Sequence, residues 1–311
     1  MNWSTPPGVY GSAEPLFLLL MALGIEAYLG GLSVRGGWLP RPRRAFARLV
    51  REVGRRLNRP ERGAADRRLR GALACIFLVV LALAVGVFAG VFTRNYPFAW
   101  VVELLFLPLI LSQRGTWRRG TAVADALKDG SLIKAREALR PLVRERIDAA
   151  RLDGLDGAGI IEVTIAGIAL RFTALLVGPA LWYVLLGLPG LLLQQAAYVM
   201  DLTLGRRAGE FGRAAARVQR IVSAPARALA ALLLAASAAF VPGGKPLAAL
   251  RCLPAHRGNL GGGPAAVLAA APGTATGSAR LARALVVFAV ACLFQAALIG
   301  LLALLRLNIG S

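Results

Sequence analysis

Residues 178–205 read GPALWYVLLGLPGLLLQQAAYVMDLTLG, and they lie inside the longer region Ile160–Arg227 that decides the fold. The first part of this region is almost uninterrupted apolar sequence, and its last part is rich in arginine. Apolar runs near the ~18–20 residues that a helix needs to cross a bilayer predict membrane segments. We therefore interpret Ile160–Arg227 as a membrane-embedded core followed by a basic rim.

The rest of the chain has the same character. Of its 311 residues, 57% are hydrophobic, which is too many for an ordinary soluble domain. The sequence predicts an all-α, polytopic integral membrane protein with about five to seven membrane segments, forming a single membrane domain over residues 1–311. The candidate segments are Leu16–Leu32, Gly71–Phe92, Phe98–Leu111, Ile160–Leu186, Gly187–Leu204, Ala224–Val241 and Ala284–Leu305.

The positive charge of the chain lies between its apolar segments. Formal net charge is +21, with 37 Lys and Arg against 16 Asp and Glu. This placement favours positive-inside topology over nucleic-acid binding, so we expect no nucleic-acid partner. The short link Thr93–Pro97 joins two membrane segments, which puts the basic segments 35–70 and 114–151 on one side, and the rule makes that side cytoplasmic. We expect a multi-pass protein of a bacterial-type inner (plasma) membrane.

Residues 35–70 form a basic, amphipathic interfacial segment. Four arginines share one helical face, and five apolar residues line the opposite face: Arg44, Arg48, Arg51 and Arg55, against Phe46, Leu49, Val50, Val53 and Leu57. This spacing is typical of a helix lying at a membrane surface. Contact with the anionic headgroups of the lipid bilayer is the favoured interpretation. Recruitment of a phosphorylated substrate is the alternative.

Two further segments lie outside the apolar runs. Residues 113–159 are expected to be a helical cytoplasmic insertion, because Asp129-Gly130 is a turn signal and Ser131 can cap a helix beginning at Leu132. Pro141 should kink or break that helix. Residues 242–278 are rich in Gly, Pro and Ala without strong periodicity, which predicts a long loop.

Metal and nucleotide motifs are weak. The chain has three cysteines, without a CxxC pair, and one histidine, His256, so we expect no metal site built on these residues. Gly258–Gly263 is glycine-rich but lacks the GK[ST] ending of a phosphate-binding loop, which favours a flexible loop.

A set of short motifs follows a recognisable order. They are Trp38-Leu39-Pro40-Arg41-Pro42, Arg55-Arg56-Leu57-Asn58, Leu69-Arg70-Gly71-Ala72, Ala135-Arg136-Glu137-Ala138-Leu139, Gly178-Pro179-Ala180-Leu181-Trp182, Gly187-Leu188-Pro189-Gly190, Asp201 with Gly205, Phe211-Gly212, Ala214-Ala215-Ala216-Arg217, Pro225-Ala226-Arg227, and Asn259 with Gly261. Their order and spacing resemble the CobD/CbiB family of cobalamin-biosynthesis integral membrane proteins, from about Leu18 to Leu268. Arg171-Phe172, upstream of Trp182, also resembles the AmpE-like branch of the same superfamily, which is regarded as signalling or regulatory.

The resemblance implies an adenosylcobinamide-phosphate synthase. Such an enzyme joins aminopropanol, or its phosphate, to a carboxylate of adenosylcobyric acid, with ATP and a divalent metal. On this basis Asp201 is the candidate catalytic residue. The candidate substrate- or phosphate-binding residues are Arg206, Arg207, Arg213, Arg217, Arg227 and Asn259.

Most of the family's acidic positions carry other residues here. Its two glutamates, an asparagine and an aspartate fall on Ala166, Leu170, Arg171 and Ala174. A second asparagine falls on Tyr198, an aspartate pair falls near Gln219 and Arg220, and a late glutamate falls on Ala265. Asp201 is the aligned acid that remains, and one carboxylate is a poor cradle for Mg²⁺. No cofactor is evident, and ATP and Mg²⁺ are expected only with a retained family activity.

Two functions remain open at this point. The first is the synthase. The second is a catalytically degenerate relative that serves as a membrane scaffold, as a signalling protein, or as a binder of a corrinoid or a phosphorylated small molecule, since a fold does not guarantee an activity. A transporter is disfavoured, because the sequence shows neither an inverted repeat nor paired intramembrane charges.

Overall fold

The structure is a computed structural model that describes residues 15–29, 42–59, 61, 63–96, 98–143, 147, 149–205, 208–244, 246–251, 262–273 and 277–310. Within these ranges all regular secondary structure is helical. The predicted all-α class is therefore confirmed. The chain forms two compact units and passes between them at residues 111, 178, 222 and 298. Each unit is described by itself, and the expectation of a single membrane domain stays a prediction.

Unit 1 comprises Met1–Leu111, Pro179–Val222 and Ile299–Ser311. Its helices are α1 (Pro15–Leu29), α2 (Pro42–Leu57), α3 (Ala64–Asn95), α4 (Trp100–Ile110), α9 (Gly178–Leu186, beginning one residue before the unit), α10 (Leu188–Met200) and α11 (Arg213–Val222). Between α10 and α11 lie a π-helical turn, Asp201–Gly205, called here the second π segment, and a 3₁₀ turn, Gly209–Gly212.

The core of unit 1 gathers side chains from α2, α3, α10 and α11. Its buried members are Val50, Ala74, Cys75, Leu78, Val199, Met200, Leu204, Ala208, Phe211 and Ala215. The predicted amphipathic helix is confirmed as α2, and its four predicted arginines are exposed. Its apolar face, however, packs against this core instead of standing free, because α3 and α10 cover it.

Unit 2 comprises Ser112–Gly178 and Ser223–Leu298. Its helices are α5 (Arg114–Lys128), α6 (Leu132–Val143), α7 (Ala149–Asp153), α8 (Gly157–Phe172), α12 (Ala224–Ala238), α13 (Pro246–Arg251), α14 (Gly262–Ala270) and most of α15 (Gly277–Gly310). A first π segment, Thr173–Val177, follows α8.

The predicted start of α6 is confirmed. Asp129 and Gly130 form a turn, in which Gly130 has a φ of +72°. The amide of Lys134 then donates to the Ser131 hydroxyl at 3.4 Å, as expected of a helix cap. The described part of the helix reaches Val143 and includes Pro141, so the kink or break expected at Pro141 stays a prediction.

The expected loop over residues 242–278 was wrong for α13 and α14, which are helical. The residues between them, 252–261, lie outside the described chain. Alanine has the highest helix propensity, and Pro264 stands in the first turn of α14, where proline is tolerated. The helix shows no amphipathic pattern because it is buried between α8 and α12.

Three helices of the described chain are long and apolar enough to cross a membrane: α3, the continuous helix Gly157–Leu186, and residues Gly277–Asn308 of α15. A fourth is reached if Gly209–Val222 and Ala224–Ala238 count as one broken span. Large apolar side chains of α3, such as Phe77 and Phe88, are exposed over more than half their surface. The protein is an integral membrane protein, while the number of about five to seven segments stays a prediction.

Candidate functional site

Asp201 stands where α10 gives way to the second π segment. Only 9% of its surface is exposed. A Cβ built on Gly205 would lie 2.4 Å from Asp201 Oδ1, so the carboxylate occupies the space that a side chain at position 205 would need. Single π turns inside helices are frequent at functional sites. The turn therefore holds the retained acid in a defined, buried position.

Close backbone contacts build the surroundings of this turn. A Cβ on Gly212 would lie 2.1 Å from the Leu204 carbonyl oxygen, and a Cβ on Gly71 would lie 2.1 Å from the Phe211 carbonyl oxygen. Each neighbour is a backbone atom that cannot rotate away. Glycine at these two positions thus allows α3, the 3₁₀ turn and the second π segment to touch. These glycines belong to the motifs that carry the family resemblance.

Arginines at the start of α3 connect it to the same turns. Arg67 donates from Nε to Asn58 Oδ1 at 2.9 Å and from Nη2 to the Ala208 carbonyl oxygen at 3.3 Å. Arg68 donates to the carboxylate of Glu210. The sequence analysis placed Asn58 in a family motif but did not predict Asn58, Arg67 or Arg68 as site residues. Both arginines belong to the basic segment 35–70, which was interpreted as an interfacial segment and as a topology signal.

The predicted phosphate-binding arginines fall in different places. Arg213 is mostly exposed, and its guanidinium lies 2.7 Å from Glu210 Oε1. Arg217 follows one turn later on α11 and is also exposed, and α11 packs against the second π segment. Arg227 belongs to unit 2. Outside the described residues lie Arg206, Arg207 and Asn259.

The exposed arginines at the end of α2 are engaged with an acid of their own helix. Arg55 and Arg56 both donate to the carboxylate of Glu52. The hydrogen bond from Arg56 is the main reason that the pKa of Glu52 lies below its ordinary value, and Arg55 adds to the effect. The arginines of the R-x-L-N motif thus form intrahelical ion pairs with Glu52. Ion pairs at an exposed surface add little to the free energy of unfolding.

Neutral polar residues occupy other family positions near Asp201. Tyr198 on α10 and Gln219 on α11 are both buried, and the two helices pack against each other in unit 1. Two further glutamines, Gln194 and Gln195, are buried in the middle of α10. Sequence reasoning did not single out this pair, although two adjacent amides in an apolar run were a visible signal.

Arg171 in unit 2 has a contact that explains its place. Its guanidinium donates to the carbonyl oxygens of Leu142 at 3.1 Å and Pro141 at 2.6 Å. The last carbonyls of a helix lack partners within the helix, and a cation there is favourable. Arg171 therefore binds the carbonyl oxygens at the described end of α6, so the arginine that replaces a family asparagine at this position makes a structural contact.

A buried carboxylate in unit 1 gains a partner as well. The hydroxyl of Tyr183 donates to Glu103 Oε1 at 2.5 Å, and both side chains are buried. Glu103 is an acid within the apolar segment Phe98–Leu111. The pairing satisfies part of its hydrogen-bonding capacity, as an intramembrane carboxylate requires.

The residues around Asp201 do not fit a protein-built Mg²⁺ site. Such a site relies on carboxylates, with substrate phosphates and water completing the shell. Here the neighbouring positions are a phenol and amides, and Glu210 is bound to Arg68 and Arg213. Across the described ranges, no group of three His, Cys, Asp or Glu residues could hold a metal ion.

Comparison with known proteins identifies the family that this chain matches. The family described as "CobD/Cbib protein" matches residues 19–304. The chain is 30% identical over 279 residues to "Cobalamin biosynthesis protein CobD" of Rhizobium meliloti (strain 1021), covering 87% of this chain and 84% of the relative. A protein of the same name from Sinorhizobium sp is 28% identical over 265 residues, covering 82% and 80%. No solved structure matches.

The fold and the site define a helical integral membrane protein with a buried acid in a π turn beside a basic helix. The chain belongs to the CobD/CbiB family. Its general role is therefore in cobalamin biosynthesis.

Proposed function

We propose that the protein forms the amide bond between adenosylcobyric acid and aminopropanol or its phosphate. The observation that carries the proposal is Asp201, a retained family acid that is buried and held by the second π segment against Gly205. An acid kept in this position, while others were lost, supports a continuing chemical role.

Asp201 is assigned the proton that the amine releases. The carboxyl carbon must first carry a leaving group, which the family's activation by ATP would supply by converting the carboxylate to an acyl phosphate. The amine attacks that carbon as a neutral group, the C–N bond forms, the C–O bond to the phosphate breaks and phosphate leaves, and the nitrogen loses a proton. A buried carboxylate within reach of that nitrogen can accept the proton as a general base. We assign the phosphate of aminopropanol phosphate to Arg213 and Arg217, since guanidinium groups bind phosphate in a bidentate manner. Arg213 would then exchange its contact with Glu210 for the substrate.

ATP and Mg²⁺ belong to this proposal only if the family's carboxylate activation is retained. ATP would supply the phosphoryl group for that activation. The side chains around Asp201 do not form a metal site of their own. The requirement for ATP and for Mg²⁺ is therefore tested by leaving each of them out of the assay.

A second function is favoured by the lost acids. Tyr198 and Gln219 occupy family positions with neutral side chains, and Arg171 is bound to backbone carbonyls. A protein that binds a corrinoid or a phosphorylated ligand without turning it over, as a scaffold or signalling protein, would tolerate these changes.

We also propose where the protein lies. The exposed arginines of α2 suit an anionic lipid surface, because its apolar face is already covered and its basic face is free of that packing. The positive-inside rule then puts the basic segments 35–70 and 114–151 on the cytoplasmic side of an inner membrane.

Complementation tests the synthase directly. A strain that lacks its own synthase is transformed with wild type, Asp201→Ala, or Asp153→Ala, the last being a matched control because Asp153 is exposed and paired with Arg140. We expect wild type and the control to restore cobalamin-dependent growth, and Asp201→Ala to fail at equal membrane abundance. Failure of wild type rejects the synthase and favours the binding function. Growth with Asp201→Ala removes the role of that residue.

A further inference from the structure

Two adjacent glutamines in α10 are buried without hydrogen-bond partners. Gln194 is 0% exposed and Gln195 is 5% exposed. The amide nitrogen and the amide oxygen of both side chains have no partner among the residues that the structure describes. Burying such groups is unfavourable unless a partner is supplied, and most buried polar side chains in proteins have one.

Several other buried polar side chains of this chain have a partner. The hydroxyls of Thr164, Thr173 and Ser237 each donate to a carbonyl one turn back in their own helix. Gln295 in unit 2 donates from Nε2 to the Leu176 carbonyl oxygen at 3.3 Å, although its Oε1 has no partner among the described residues. Gln194 and Gln195 differ from Gln295 because neither atom of either amide has a partner in the described part of the chain.

The pair lies beside the candidate site. Gln194, Tyr198 and Asp201 are spaced four and three residues apart, which puts them on one face of α10, with Gln195 on the adjoining face. Gln219 stands on α11, which packs against α10, and its Oε1 also has no partner among the described residues. Two amides thus lie on the stretch of α10 that leads to the retained acid, and a third lies on the helix packed against α10.

The chemistry of these groups selects the ligand. A glutamine amide offers two donors and one acceptor and carries no charge. A phosphate or a metal ion would use only half of this set. A neutral primary amide presents the complementary donors and acceptors and can pair with each side chain.

We propose that Gln194, Gln195 and Gln219 form a binding site for the primary amides at the periphery of the corrinoid ring. This inference rests on the proposed function, because it names how the corrinoid substrate of that reaction is held. It separates the site into an amide-binding part, formed by Gln194 and Gln195 on α10 with Gln219 on α11, and a basic part formed by the arginines of α11. Gln219, which stands at a family position, then has a binding role.

The test compares leucine variants of the pair with a matched glutamine elsewhere. Purified wild type, Gln194→Leu, Gln195→Leu, Gln219→Leu and the control Gln295→Leu are measured in detergent micelles. Cobyric acid is the probe, and the affinity is followed by titration calorimetry. We expect Gln194→Leu and Gln195→Leu to bind cobyric acid at least tenfold more weakly, and Gln295→Leu to bind it as wild type does.

Thermal unfolding without cobyric acid separates binding from structure. Gln295→Leu loses a hydrogen bond and should unfold at a lower midpoint, whereas the Gln194 and Gln195 variants lose none and should unfold at the wild-type midpoint or above. Wild-type affinity for cobyric acid in both Gln194→Leu and Gln195→Leu would overturn the inference. Unfolding midpoints of these two variants lowered as far as that of Gln295→Leu would also overturn it. Absent binding of cobyric acid by wild type would also overturn it. Glutamine-dependent binding without amide formation would leave this site standing and reject only the synthase.

Discussion

Replacing Gly71 by alanine should force α3 away from the 3₁₀ turn. The added Cβ would lie 2.1 Å from the Phe211 carbonyl oxygen and 2.9 Å from its carbon. These are backbone atoms, so the two segments must separate by roughly 1 Å, and overpacking of this kind costs about 1–3 kcal/mol. The higher helix propensity of alanine offsets up to about 1 kcal/mol. We expect a net loss of about 2 kcal/mol in the free energy of unfolding.

The same helix supplies the comparison. A Cβ on Gly86 would lie 2.5 Å from Pro189 Cα, whereas a Cβ on Gly90 would meet nothing closer than 4.0 Å. Gly86→Ala should therefore destabilise the protein, and Gly90→Ala should be neutral or stabilising by up to about 1 kcal/mol. The three variants each add one methyl group to α3, and they differ only in the neighbour that this group would meet.

Unfolding can be followed in micelles through the thiol of Cys75, which is buried one turn after Gly71. A thiol-reactive fluorophore reports its exposure on heating, in a background that carries Cys252→Ser and Cys292→Ala, so that Cys75 is the thiol that reacts. The midpoints should rank Gly90→Ala at or above wild type, then Gly86→Ala and Gly71→Ala below it. A Gly71→Ala midpoint equal to that of Gly90→Ala would refute the backbone contact between α3 and the 3₁₀ turn.

Three further predictions concern other parts of the chain. Arg171→Ala leaves two carbonyls at the end of α6 without their charged donor, which should lower the free energy of unfolding by about 1–3 kcal/mol; an unchanged unfolding midpoint would count against these hydrogen bonds. Glu103→Leu leaves the buried Tyr183 hydroxyl without its acceptor and should cost a similar amount, about 1–3 kcal/mol in the same assay, while Glu103→Gln, which keeps an acceptor, should cost less. A topology reporter fused at Gly130 should give a cytoplasmic signal, and a periplasmic signal would reverse the proposed orientation.

Local signals in the sequence located several elements well. The turn at Asp129 and Gly130 and the cap at Ser131 depend on side chains that act within a few residues. Such signals need no knowledge of distant packing. The helix α14 escaped prediction because its small apolar residues are buried on all sides, which leaves no periodicity to read.

The site was predictable only in part. Asp201 and the glycines of the short motifs were found through the family resemblance, but the π turn that connects Asp201 to Gly205 has no pattern in hydropathy. The contact of Arg171 with α6 joins residues about thirty positions apart. The sequence therefore showed only that a positively charged side chain stands at this family position. The missing partners of Gln194 and Gln195 became visible once the packing of α10 was known.

The most direct test is amide formation by the purified protein. Wild type and Asp201→Ala are incubated with adenosylcobyric acid, aminopropanol phosphate, ATP and Mg²⁺, and with ATP or Mg²⁺ omitted, and the products are identified by mass spectrometry. We propose that the fold holds Asp201 in position to act as the general base of the synthase reaction. Wild type should then give the amide, and Asp201→Ala at least a hundredfold less, as expected for a lost general base. No amide from folded wild-type protein, or a wild-type rate from Asp201→Ala, would contradict this proposal.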